Sequence, residues 1–203
     1  MSGMKFVLAS KNKHKQAELQ TILAPYGIEL VLQSELGLDL EVEENGTTFL
    51  DNARLKAEAV MRASGLPAIA DDSGLVVDAL DGAPGVYSAR YGGDGCKTDT
   101  DRNALLLHNL QGIPTDARTA RFVCCICCRF PDGREVIGQG SCEGRITEAP
   151  AGEQGFGYDP IFYVPSEGCT FAQIPAERKN SLSHRGRAIE DFYANVQKEI
   201  GTC

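Results

Sequence analysis

The chain has 203 residues, 42% hydrophobic and 24% charged, enough for one well-filled core, and no Pro-, Ser- or charge-rich stretch divides it into independent domains. Its formal net charge of −8 excludes non-specific binding to DNA or RNA, whose phosphates are held by neutralising several charges at once. An anionic ligand must therefore be met by a local cluster of cations or by a metal.

The apolar run KFVLAS predicts a buried first strand, and the polar Lys11-Asn12-Lys13 opens a helical pattern carried by Ala17, Leu19, Ile22 and Leu23. A strand feeding a helix through a polar turn is a frequent phosphate-binding arrangement, because the helix start presents free N–H groups and positive dipole to an anion. IELVLQ, after Gly27, is a second strand. Asn45-Gly46 then marks a turn, Thr47 or Thr48 a cap, and a helix of about 16 residues is expected to run to Ser64-Gly65. LPAIADDSGLVVDAL is expected to form two strands separated by a polar interruption from Asp71 to Gly74. DGAPGVYSARYGGDG is a Gly-rich loop, and TDRNALLLHNLQG a short helix ended by Gly112. TARFVCCICCRF and REVIGQGSCEGRI predict two strands joined at Pro131-Asp132-Gly133, a hairpin signal. The loop AGEQGFGYDPIFYVP follows, and the last helix is expected from about Gly186 to Lys198. Early alternation of strands and helices followed by an antiparallel pair is the order of an α/β or α+β domain with a mixed sheet.

No window approaches about 18 uncharged apolar residues, and MSGMKFVLAS lacks the apolar length and cleavage site of a secretory signal. These features point to the cytoplasm, with neither membrane nor nucleic acid as partner. The eight cysteines then read as reduced thiols. Cys124, Cys125, Cys127 and Cys128 contain two C-x-x-C spacings, which zinc can use, but they lie in an apolar, β-branched run where consecutive side chains point to opposite faces. Small core residues are the preferred reading.

Five polar clusters fall at strand ends or turns, where functional residues concentrate. Ser10 to Lys15 is either a phosphate cradle or a solvated helix start; it is not a P-loop, since G-x-x-x-x-G-K-[ST] is absent. Glu41 and Glu43 share a face if extended. Asp71 and Asp72 interrupt an apolar run, where carboxylates are costly to desolvate unless paired, capping or holding a cation. Mg²⁺ takes a few carboxylates, several waters and substrate phosphates, so two acids from separate segments suffice. Phe156-Gly157-Tyr158-Asp159 is either a packed turn or an aromatic laid flat against a base, with glycine permitting close approach. Lys179 with Ser183-His184-Arg185 is a cationic group suited to phosphate or a base edge; adjacent Ser and His do not make a hydrolase triad.

LASKNKHK, EENGTTFLDNARLKA, AIADDSGLVVDALDGAPGVYSARY, GFGYDPIF and SHRGRA, in this order across almost the whole chain, resemble the inosine triphosphate pyrophosphatase family, and most closely its bacterial dITP/XTP pyrophosphatases. The resemblance implies a single domain over residues 1–203, a two-lobed α/β fold with an elongated mixed β-sheet flanked by helices, a substrate cleft between the lobes, and a homodimer. It implies hydrolysis of ITP, dITP and XTP to the monophosphate and pyrophosphate, which clears deaminated purines from the nucleotide pool. Ser10, Lys11, Asn12, Lys13, His14 and Lys15 would hold the triphosphate. Glu43 and Asp72 would position Mg²⁺, Asp72 would also accept the proton, and Ser73 would contact substrate. Phe156, Gly157, Tyr158 and Asp159 would shape the nucleotide pocket, with Lys179, His184 and Arg185 completing the contacts. A Maf-like nucleotide pyrophosphatase, a nucleotide-binding regulator without turnover and a zinc-binding interaction module are the alternatives.

Overall fold

The computed structural model of the chain describes residues 4–10 and 13–200. In chain order they form β1 (Met4–Leu8), α1 (Lys13–Leu23), β2 (Ile28–Leu32), α2 (Phe49–Ser64), β3 (Ala68–Val77), α3 (Asp99–Asn109), β4 (Thr119–Arg129), β5 (Glu135–Ile146), β6 (Phe162–Val164), β7 (Cys169–Thr170), α4 (Ala176–Leu182) and α5 (His184–Ile200). The strands make one mixed sheet of order β2-β1-β3-β4-β5-β6-β7. β1 runs parallel to β2 and β3, whereas β5–β6 and β6–β7 are antiparallel. This is the mixed α/β sheet flanked by helices that the sequence pattern predicts. Among the described residues no helix is long and apolar enough to cross a membrane.

The chain divides into two compact units. The first comprises the segment ending at Asp72, residues Cys124–Gly140 and the segment from His184 on; the second comprises Ser73–Val123 and Ser141–Ser183.

In the first unit β1 is apolar at consecutive positions because both of its faces are covered. Phe6 and Leu8 pack with Leu19 and Leu23 of α1 and with Ala188, Ile189, Phe192 and Val196 of α5, while Val7 packs with Ala53, Ala57 and Val60 of α2. The same alternation settles the cysteines of β4. Cys124, Ile126 and Cys128 join the first cluster and Cys127 the second, so these thiols are core residues. Thr48 caps α2 by accepting from Asp51 N at 3.1 Å, and Gly65, at φ 68°, ends it. Such a cap contributes about 1 kcal/mol. α5 lies directly on β5, since a Cβ at Gly138 would strike Phe192 and one at Gly140 the His184 carbonyl.

In the second unit α3 and the strand segments enclose Leu75, Val77, Leu106, Leu110, Phe122, Phe162 and Phe171. The last three rings pack with centroids 4.6 Å to 5.9 Å apart. α3 carries a capping box of Thr98 and Asp101.

Two expectations need correction. β3 runs unbroken through Asp71 to Gly74, because the carboxylates acquire partners within the fold and the strand need not open to solvate them. The loop after β5 holds two short strands and is followed by a further helix, α4; α5 then starts at His184, ahead of Gly186.

Candidate active site

Asp71 and Asp72 stand side by side in β3, 2% and 7% exposed. Asp71 Oδ2 lies 3.5 Å from Arg185 Nε at the start of α5, and both side chains are fully buried. Asp72 meets α2: Asn52 Nδ2 donates to its Oδ2 at 3.1 Å, and Lys56 Nζ stands 3.8 Å from its Oδ1. Lys56 also binds Glu44 Oε1 at 2.7 Å. The direction of the Asn52 amide is fixed from its other end, where its Oδ1 accepts from Gly46 N at 2.8 Å. Burial opposes the charge on Lys56, but Asp72, Asp71 and Glu44 outweigh it and hold the ammonium above its ordinary range.

Asp71, Asp72 and Glu44 thus gather around the cations Lys56 and Arg185. Carboxylate oxygens such as those of Asp72 and Glu44 are the donor chemistry that Mg²⁺ accepts. Among the described residues no group of three or more His, Cys, Asp or Glu is placed to hold a metal ion.

The second unit carries the aromatic loop. Lys179 Nζ binds Asp159 Oδ2 at 2.7 Å with both side chains under 10% exposed, and lies 5.1 Å from the centroid of the Phe156 ring. The same Asp159 oxygen accepts from Phe156 N at 2.9 Å. Tyr158 is buried, its hydroxyl donates to Ser88 O at 2.8 Å, and burial pushes its pKa upward. Gly157, at φ 63°, donates its N–H to Asp99 Oδ2 at 2.8 Å and accepts from Asn103 Nδ2 at 3.0 Å.

A model of the Ham1 family matches residues 6–195. The chain belongs to the Ham1 family. A dITP/XTP pyrophosphatase of Desulforamulus reducens is 54% identical over 92% of each chain, and one of Thermus thermophilus is 52% identical over 93% of this chain and 90% of its own. A solved HAM1 protein from Coxiella burnetii superposes with a TM-score of 0.87 at 41% identity, covering 96% of this chain and 99% of its own. The family read from the five motifs is therefore confirmed.

The sequence-predicted residues of this Ham1 chain fall as follows. Ser10 is half-buried just after β1. Lys11 and Asn12 lie outside the described residues, as do the side chains of Lys13, His14 and Lys15, whose backbone opens α1. Glu43 is exposed and forms no hydrogen bond or ion pair with the described residues, whereas Glu44 is linked to Asp72 through Lys56. Ser73 follows Asp72 in β3 and begins the second unit. His184 and Arg185 are buried, and Arg185 Nε faces Asp71 Oδ2 at 3.5 Å. Sequence reasoning missed Asn52 and Lys56. Their signal was present: both fall on the stripe of α2 that buries Ala53, Ala57 and Val60, and a polar side chain on such a stripe needs a buried partner.

Proposed function

We propose that this chain hydrolyses dITP, XTP and ITP to the nucleoside monophosphate and pyrophosphate in the cytoplasm, as a homodimer, and so keeps deaminated purines out of nucleic acid. The observation that supports it most directly is Asp72. It is a buried carboxylate in mid-strand, one oxygen held by Asn52 and the other faced by Lys56, in a chain more than half identical to a dITP/XTP pyrophosphatase.

Cleavage of a triphosphate needs charge neutralisation and positioning more than covalent chemistry. Glu43 and Asp72 are the residues that would hold Mg²⁺, which supplies neutralisation of the roughly four negative charges of the triphosphate. Ser10, Lys11, Asn12, Lys13, His14 and Lys15 bind the phosphates at the start of α1. Asp72 orients a water and takes its proton as the oxygen attacks the α-phosphorus in line, and pyrophosphate leaves. Asn52 and Lys56 fix the direction of that carboxylate. Ser73 contacts the substrate. Phe156, Gly157, Tyr158 and Asp159 form the base pocket, with Asp159 held by Lys179. Hypoxanthine and xanthine carry an acceptor oxygen at C6 where adenine carries a donor amine. Donors from His184, Arg185 and main-chain N–H groups pair with the oxygen and are left unpaired against adenine, a mismatch that can discriminate by about 10⁴.

The test is turnover of ITP, dITP, XTP, ATP and GTP by the purified protein with Mg²⁺, resolving pyrophosphate from orthophosphate. Pyrophosphate mainly from the deaminated purines is expected; no preference points to another pyrophosphatase, and no turnover refutes the proposal. Asp72→Asn should lower kcat by about 10² to 10⁴ while nucleotide binding, measured by calorimetry, persists. Turnover at the wild-type rate removes Asp72 from its role.

A further inference from the structure

Asp99 and Asn103 stand one turn apart on α3 and grip both main-chain groups of one residue, Gly157. Asp99 Oδ2 takes the Gly157 N–H, while Asp99 Oδ1 is held by Arg102 at 2.5 Å, so the carboxylate is itself oriented. Asn103 Nδ2 donates to the Gly157 carbonyl. The other end of that amide, Asn103 Oδ1, is buried with no hydrogen-bond partner among the described residues. A leucine of similar size would fill this site without stranding an acceptor, so the amide is present for its NH₂ group, at a cost to stability. Gly157 has a left-handed backbone, and a Cβ there would meet nothing within 4 Å. Its Cα face is open while its polar groups are pinned.

We propose that Asp99 and Asn103 are positioning residues that set base selectivity by fixing Gly157, and through it the aromatic residues Phe156 and Tyr158 on either side. This rests on reading residues 156–159 as the nucleotide pocket. With its N–H spent on Asp99, Gly157 offers a purine no donor and serves as a flat surface of fixed tilt, so selection at this point acts through shape. A displacement of about 1 Å in such a pocket costs up to about 10²-fold in kcat/KM.

The experiment compares Asn103→Leu, Asp99→Ala, Asp99→Asn and Phe156→Ala in steady-state kinetics with ITP and GTP, alongside thermal unfolding and amide exchange over residues 154–159. Asn103→Leu and Asp99→Ala should raise KM for ITP about tenfold, leave kcat within about twofold, and lower the ITP-to-GTP selectivity about tenfold, with faster exchange in the loop. Asp99→Asn, which keeps the acceptor, should behave as wild type. Asp99 is a half-exposed side chain, so its variants report even where Asn103→Leu does not fold. Wild-type KM and selectivity in Asp99→Ala, with Phe156→Ala raising KM, overturns the clamp and spares the pocket. An equal loss of kcat on both substrates assigns the pair a merely structural role and also overturns it. An unchanged KM in Phe156→Ala refutes the pocket, and the clamp with it.

Discussion

Replacing Lys56 by methionine keeps the side chain's length and removes the ammonium that bridges Glu44 and Asp72. At an effective dielectric of about 20, charges 2.7 Å and 3.8 Å apart attract by about 6 and about 4 kcal/mol. Desolvating each ion costs several kcal/mol, so the net contribution is well below that sum. Truncation is nevertheless expensive, because Asp72, Asp71 and Glu44 stay in place without their shared cation. Removing one partner from a buried ion pair typically costs about 3–5 kcal/mol. For a chain of this size that corresponds to a fall in Tm of about 10 °C. Urea unfolding followed by circular dichroism at neutral pH measures the loss, and Glu44→Gln in the same background should restore part of it by removing one of the carboxylates that the ammonium neutralised. Turnover should fall as well, since Asp72 loses the group facing Oδ1. Stability within about 1 kcal/mol of wild type refutes the argument, because it would mean that the ammonium neutralises nothing.

Further tests probe the acid limb and the thiols. The hydrogen bond from Arg54 is the main cause that holds the Glu135 carboxyl below its ordinary value of 4.5, aided by Arg129 and opposed by burial. A depressed folded pKa stabilises the protein above the unfolded value, and the contribution is lost as pH falls through the folded one. Arg54→Met should therefore flatten the stability curve below about pH 4.5, and superimposable curves for the two proteins would contradict this. Burial pushes Cys125 up to about 11 and Cys127 up to about 12, so neither should react with iodoacetamide at about pH 8 until the chain unfolds. Mass-spectrometric labelling of the native protein at the rate of a free thiol would contradict the burial of these groups.

Local signals carried far in this sequence. The start of α2 was readable from Asn45-Gly46 and the Thr cap, its end from Gly65, and the β4–β5 hairpin from Pro131-Asp132-Gly133. The continuity of β3 was not readable, because whether Asp71 and Asp72 break a strand depends on Asn52 and Lys56 from α2 and Arg185 from the far end of the chain. α4 was missed because AERKNSL is short and mostly polar, so its helical period leaves no apolar stripe to read. The same distinction holds for the site. The family resemblance could name Asp72, Phe156 and Arg185 as candidates, whereas Asn52 and Lys56, which meet Asp72, and Asn103, which meets Gly157, are defined by contacts across the fold.

The way the chain threads its two units also dictates when they can form. The first unit takes its core from β1, α1 and β2 at one end and from Ala188, Ile189, Phe192 and Val196 at the other. During vectorial synthesis Phe6 and Leu8 leave the ribosome well before α5, the helix that covers them. The hydrophobic strand β1 must wait in that interval, exposed to association with other nascent chains. Nascent chains truncated before His184 should accordingly be captured by holdase chaperones, and release should follow the appearance of α5.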